Sequence, residues 1–319
     1  MAWKPIVAGV DGSHAAAAAA ALAAQLAERA GTTCRLVHAA KDIPAAYLEL
    51  EVPVHAKELA RMQVTESRRR MTESLRGAVP TALLDALDVR LGNAPVVLQT
   101  VVREIDAGLV VLGGKHHSAL ERWLGGSTSL NVVRTIDVPI LVTVGRPPPP
   151  VRRMLVAVDI SPAAPAAIEV AERHAELLGA ELDAISVLEP LPEMPPALAF
   201  DTREYYALWE EMLARDVWPR LRRAGTRTIV RHGMVTETLL REVTEGGIDL
   251  LVLGSHGKGW AQRLMLGSTT ERLLNHLPTS VLVVPTPQRT ERRADTRERA
   301  MARAGGEAVT GRTAAAATV

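Results

Sequence analysis

Aromatic side chains are scarce. They make up 3% of the 319 residues, with a single phenylalanine. The cores must therefore be built from Ala, Val and Leu, and the 47% hydrophobic fraction is ample for that. Cysteine is almost absent as well. Cys34 stands alone, so no intrachain disulfide can form, which suits a reducing compartment. It falls in an apolar stretch and reads as a packed small hydrophobe, not a reactive thiol. Nor is there an excess of charge: the formal net charge is +1. Residues 286–319 hold seven Arg and four acidic residues, a surplus of +3 that leaves the body at about −2. Such a body excludes a broad nucleic-acid surface. The Ala-rich run 15–24 is too short to span a membrane and lacks the basic flank of a signal core. It reads as a helix of strong formers.

Several motifs are missing too. No Gly-x-x-x-x-Gly-Lys-Ser/Thr string exists, which excludes a P-loop. Gly257-Lys258-Gly259 is not followed by a glycine three residues on, so it is no dinucleotide fingerprint. No Gly-x-Ser-x-Gly elbow is present. Paired carboxylates, a Cys/His cluster and a nucleophile–base pair are not evident. The sequence therefore assigns no catalytic residue and no metal ligand.

What the chain does contain is itself, twice. Gly113 and Gly254, Gly126 and Gly267, and Gly92 and Gly233 are each 141 apart. Asp11 and Asp159, Ser13 and Ser161, Gly31 and Gly179, and Pro44 and Pro192 are each 148 apart. The chain is a tandem duplication whose second copy is seven residues shorter, with the loss between Pro192 and Gly233. A repeat of this length is a whole domain, not a solenoid unit. The expected division is domain 1 over 1–145, a proline linker over 146–151, domain 2 over 152–286 and a disordered tail over 287–319. In repeat 1 strands are expected at 5–10, 34–39, 87–91, 109–112 and 138–144, and helices at 14–30, 54–76 and 92–104. In repeat 2 strands are expected at 154–158, 182–188, 228–231, 250–253 and 281–284, and helices at 162–178 and 203–223. Trp209 and Trp218 read as packing residues. Alternating strands and helices predict an α/β fold with parallel sheets and right-handed crossovers.

One unit dominates each repeat. In the second, the apolar run Leu250-Leu251-Val252-Leu253 ends at Gly254. Gly257 follows, then nine residues, then Gly267-Ser268-Thr269 and a helical spacing of Leu273, Leu274 and Leu277, stopped by Pro278. This is the pattern of a phosphate cradle. Glycines permit positive φ and let backbone N–H groups approach a ligand, and Ser268 and Thr269 open a helix whose N-terminus favours an anion. The first repeat carries the unit as Gly113-Gly114-Lys115-His116, nine residues, Gly126-Ser127-Thr128. Alternatives stand beside this reading. The glycines can serve tight packing alone, Asp11 and Asp159 can cap the helices that follow, and Lys115 and Lys258 can be solvated loop lysines. His116, where repeat 2 has Gly257, can be an exposed loop residue, a steric block or an imidazolium that binds phosphate.

The spacing Gly254-x-x-Gly257-x9-Gly267-Ser268, with Asp159 after an earlier strand and a closing apolar strand, resembles the nucleotide motif of the universal stress protein family. The resemblance implies two tandem open parallel-sheet domains, Rossmann-like, of strand order 3-2-1-4-5. It implies a site beyond the carboxyl ends of the strands, where that order reverses. The ligand it implies is ATP, with or without magnesium. Cofactor-binding roles then pass to Asp159, Val187, Gly254, Gly257, Gly267, Ser268 and Thr269. In repeat 1 they pass to Asp11, Ala39, Gly113, His116, Gly126, Ser127 and Thr128. The aspartates contact nucleotide, Ala39 and Val187 offer backbone to adenine, and the glycine–serine motif holds ribose and phosphates. Fifth strands commonly pair domains in this family, which implies an intramolecular pseudo-dimer and a homo-oligomer through fifth strands. The expected function is adenine-nucleotide binding in a cytoplasmic stress response, biasing conformation or partner choice, without an enzyme's turnover and with no nucleic acid or membrane partner. The alternatives are a slow ATPase or phosphate-transferring enzyme, and a structural pairing module without ligand.

Overall fold

Short, uninterrupted apolar runs become strands covered on both faces, as they do in parallel sheets. The computed structural model of the chain describes residues 2–41, 53–114, 128–144, 150–191, 201–255, 267–276 and 279–286. The first half runs β1 (Ile6–Gly9), α1 (His14–Arg29), β2 (Cys34–Ala40), α2 (Pro53–Leu75), α3 (Thr81–Asp85), β3 (Asp88–Leu91), α4 (Ala94–Glu104), β4 (Leu109–Gly113), α5 (Thr128–Thr135) and β5 (Ile140–Thr143). The second runs β6 (Arg153–Ala157), α6 (Ala164–Leu178), β7 (Glu181–Leu188), α7 (Thr202–Asp216), β8 (Arg227–His232), α8 (Val235–Gly246), β9 (Leu250–Gly254), α9 (Ser268–His276) and β10 (Ser280–Val284). A 3-10 turn, Trp218–Arg220, follows α7. The short helix α3 was not expected; five residues after Pro80 are too few to show a helical period. The proline linker core 145–149 and the tail 287–319 lie outside the described residues.

The strands form one sheet of order β3-β2-β1-β4-β5-β10-β9-β6-β7-β8. Each half has the expected 3-2-1-4-5 order, and residues 1–285 gather into one unit. Neighbours pair in parallel within each half. The halves meet antiparallel through β5 and β10, with Leu141 opposite Leu282. The pseudo-dimer is therefore built inside the chain. This corrects the expectation of a homo-oligomer through fifth strands: β5 lies between β4 and β10, and β10 between β5 and β9, so neither has an edge to offer a second copy. The outer strands β3 and β8 carry charge at Asp88, Arg90, Arg227 and Arg231, which blunts those edges against pairing.

Side-chain alternation divides the apolar residues between two faces. Ala8, Val111, Val156 and Val252 belong to one buried cluster, and Val7, Val110, Leu155 and Leu251 to the other. Each cluster runs through both halves. Trp209 and Trp218 pack against the first, as expected. Two side-chain contacts add to the junction. Arg134 of α5 meets Glu271 of α9 at 3.1 Å. Trp3 sets its ring edge-on to His174 of α6 at 5.1 Å, with the Arg173 guanidinium 4.5 Å from the Trp3 ring centre.

Candidate functional site

In the first half the carboxyl ends of β1, β2 and β4 converge where the strand order reverses, the place at which open α/β sheets receive ligands. A cleft of about 720 Å³ opens there, and Asp11, Ala39, Gly113 and Gly114 all line it. Three sequence-predicted residues are thus brought together. Asp11 follows β1, and its Oδ1 accepts a hydrogen bond from Ser13 N at 3.0 Å. The helix cap itself is Ser13, whose hydroxyl accepts from Ala16 N at 3.2 Å. Ala39 lies in β2 opposite Arg90 of β3. Gly114 N donates to Thr143 O at 2.8 Å, which ties the end of β4 to β5.

Gly113 lacks a side chain for a reason other than backbone conformation. It is not among the positive-φ glycines. A Cβ placed on it would lie 2.5 Å from Ala15 C and 2.6 Å from Ala15 O and Ala16 N. The first turn of the Ala-rich helix α1 rests directly on the end of β4. The close approach also brings the positive end of the α1 dipole to the cleft, where Ala16 is part of the wall.

The second half builds the same corner. Asp159 follows β6, Val187 lies in β7, and Gly254 closes β9. Ser255 N donates to Val284 O at 2.8 Å, and Gly267 N donates to Ser255 O at 3.0 Å. The chain therefore leaves and re-enters at one point. Gly267 O accepts from Glu271 N at 2.9 Å, which makes Gly267 the N-cap of α9 and Ser268 and Thr269 its first two residues. The first-turn N–H groups of such a helix have no acceptor within the helix. Ser268 is exposed and Thr269 half-buried. Thr270, which the sequence reading passed over, is buried and donates its hydroxyl to Gly254 O at 3.0 Å, clamping α9 to β9. Gly257, Lys258, Lys115, His116, Gly126 and Ser127 lie outside the described residues; Thr128 is the first residue of α5.

Sequence reasoning missed one wall of the cleft. Gln63, Ser67 and Arg70 of α2 line it, at the i, i+4, i+7 spacing of one helix face. Gln63 Nε2 donates to Lys41 O at 2.5 Å, holding α2 to the end of β2. His38 Nδ1 lies 2.7 Å from Val10 O and fixes the end of β1 against β2. The Arg70 guanidinium is 3.5 Å from Glu66, whose closer partner is Arg69 at 2.8 Å. Burial pushes the Cys34 thiol up to about 11, in keeping with a packed, unreactive residue. Among the described residues no group of three or more His, Cys, Asp or Glu is placed to hold a metal ion. No helix among them is long and apolar enough to cross a membrane.

Comparison with known proteins matches the chain to the family model described as "Universal stress protein family", once over residues 2–143 and again over 150–285. A universal stress protein of Mycobacterium tuberculosis is 27% identical over 289 residues, 87% of this chain and 96% of that one. Another, from Mycolicibacterium smegmatis, is 28% identical over 236 residues, 66% of this chain and 77% of that one. Among solved structures, a universal stress protein from Archaeoglobus fulgidus matches with a TM-score of 0.57 at 18% identity, covering 88% of this chain and 98% of that one. One from Pseudomonas aeruginosa matches with a TM-score of 0.54 at 18% identity, covering 89% and 94%. At that identity the structures speak for the fold.

Proposed function

Because the chain belongs to the universal stress protein family, we propose that it binds an adenine nucleotide, ATP, as part of a cytoplasmic stress response, and that binding biases its conformation or choice of partner. The observation that carries this reading is the convergence of Asp11, Ala39 and Gly113 on one cleft at the switch point. The cleft's volume of about 720 Å³ lies inside the range of small-molecule sites. Its chemistry fits the group in parts. The Asp11 carboxylate can accept from ribose hydroxyls, and Ala39 offers backbone beside an apolar floor. At the β4 end the Gly113–Gly114 backbone and the amino end of α1 suit phosphates. A magnesium ion, where bound, neutralises phosphate charge. In the second half Asp159, Val187, Gly254, Gly267, Ser268 and Thr269 take the matching places, with Gly257 completing the motif. The role proposed is binding, not rapid turnover.

Mass spectrometry of small molecules released from gently purified full-length protein tests the reading. Adenine nucleotide in the released fraction, and saturable heat on titrating ATP into stripped protein, are expected. Protein that emerges empty and gives no heat with ATP, ADP or AMP refutes it. That result would support a second reading, a pairing module without ligand. One observation favours this second reading in the first half: packing against α1 alone accounts for the glycine at 113.

A further inference from the structure

The α2 wall of the first cleft holds a side chain that the fold does not account for. Ser67 is 4% exposed and lines the cleft. Its hydroxyl makes no hydrogen bond among the described residues, whereas Thr65 and Ser74 on the same helix each donate to a helical carbonyl. Ser67 Oγ is not among the buried side-chain atoms left without a partner, which among the described residues are Ser161 Oγ, His174 Nε2 and Thr226 Oγ1, so this hydroxyl opens to the cleft. Gln63, one turn earlier, is held by its bond to Lys41 O. Met71, one turn later, packs over the β1 end, since a Cβ on Gly12 would lie 2.8 Å from its Cε. Met71, Ala39 and Ala40 thus give this side of the cleft an apolar slot with Ser67 on its wall, and Lys41, Gln63 and Arg70 also line the cleft. The phosphate-compatible features, Gly113, Gly114 and Ser129, belong to β4 and α5 at the other side of Asp11. A flat heteroaromatic ring suits the slot, and a hydroxyl that both donates and accepts suits the edge of that ring.

The second half lacks this device. Ser67, Met71 and Leu75 are buried at i, i+4, i+8 in α2. Trp209, partly buried, Leu213 and Val217, the residue just after α7, repeat that spacing 142 residues later. Trp209 therefore stands where Ser67 stands, with Tyr205 against it at 6.1 Å.

We infer that Ser67 reads the base of the nucleotide in the first cleft through its hydroxyl, and that the site proposed for the second half, with an indole in that place, recognises its base differently. The inference rests on the nucleotide reading above. Four measurements on the full chain test it: ATP-dependent amide exchange on the unmodified protein, calorimetry of Ser67→Ala with ATP, the same with adenosine, and melting without ligand. Binding in the first cleft should protect residues 36–41 and 60–72. Ser67→Ala should weaken that site about 3- to 10-fold, the worth of one neutral hydrogen bond. The loss should be equal for ATP and adenosine, since the contact is to the base. The unliganded variant should melt at the same temperature or higher, because no hydrogen bond to a described residue is lost and alanine is the better helix former. A residue with only a structural role would lower the melting point and leave affinity alone. Unchanged affinity, a loss seen with ATP but not adenosine, or a loss matched by reduced melting temperature each overturns the inference while the nucleotide reading stands. No ATP-dependent protection of 36–41 overturns the nucleotide reading of this cleft, and the inference with it.

Discussion

Gly113→Ala is the substitution that most directly separates space from backbone conformation. The new Cβ would sit 2.5 Å from Ala15 C, where carbon atoms prefer roughly 3.5–4.0 Å. The obstacle is main chain in the first turn of α1, so no rotamer change relieves it. Helix or strand must move by about 1 Å. Overpacking of this kind costs roughly 1–3 kcal/mol, while replacing glycine by alanine returns about 0.4–1 kcal/mol through the unfolded state. The net expectation is a loss of about 1–2 kcal/mol, or several degrees in melting temperature for a unit of this size. Gly246→Ala is the control. Its Cβ would meet nothing closer than Ile248 at 3.5 Å, and its φ is not positive. The same chemical change there should be neutral or stabilising by up to about 1 kcal/mol. Urea unfolding of both variants measures the difference. Because α1 also borders the cleft, Gly113→Ala should weaken nucleotide binding as well. Equal stabilities for the two variants would refute the claim that Gly113 is there to let α1 rest on β4.

Three further outcomes are expected. Burial depresses His174 to about 4, its Nδ1 is tied to Val170 O at 2.7 Å, and its Nε2 is buried without a partner against Trp3. Its depressed folded value means the associated stability is intact above about 6.5 and is lost as pH falls toward 4, by up to roughly 3 kcal/mol; His174→Leu should flatten the melting-temperature profile between pH 7 and 5 relative to the parent, and an unchanged slope would contradict the assignment. The Cys34 thiol, raised to about 11 by burial, should react with an aromatic disulfide reagent at pH 8 far more slowly in folded protein than in urea, and equal rates would place it at the surface. Gly257→His should weaken the second site about 5- to 30-fold if that position needs positive φ, and His116→Gly should strengthen the first; two equal, pH-independent sites in the parent would rule out this asymmetry, whereas a first site that tightens as pH falls through about 6.5 would mean the imidazolium binds phosphate.

Strand positions were legible because a buried parallel strand is an apolar run bounded by glycine or aspartate, and Leu109–Gly113 and Leu250–Gly254 are such runs. Once strand ends are known, the switch point follows from the topology. The strand order implied by the family resemblance supplied that topology, and with it Asp11, Ala39 and Gly113, scattered over a hundred residues, could be assigned to one pocket. What stayed hidden depends on distance or on ambiguity. Trp3 and His174 are far apart in the chain and touch only because the halves share one sheet. The Gln63–Ser67–Arg70 face is visible in the sequence, but a polar face on a charged helix reads equally well as solvated. Only the docking of α2 on β2, held by Gln63 to Lys41 O, turns it toward the cleft. Ser268, Thr269 and Thr270 are three adjacent hydroxyls at a helix start, and sequence order favours the first two. The strand end selects the third, because only Thr270 reaches the Gly254 carbonyl.

Glycine illustrates the ambiguity best. Gly113 and Gly179 are the same letter under different constraints. At Gly179 φ is +66° and a Cβ would meet nothing within 4 Å, so the constraint is the left-handed turn that ends α6. At Gly113 the backbone is ordinary strand and the constraint is the α1 main chain. A missing Cβ therefore signals a turn, a close helix or a close ligand, and the three differ only in what lies in the empty position. In the first half the nearest occupant is a helix whose amino end faces the cleft. Tight packing and anion binding are thus compatible there: the glycine that admits α1 also delivers its dipole to the ligand site.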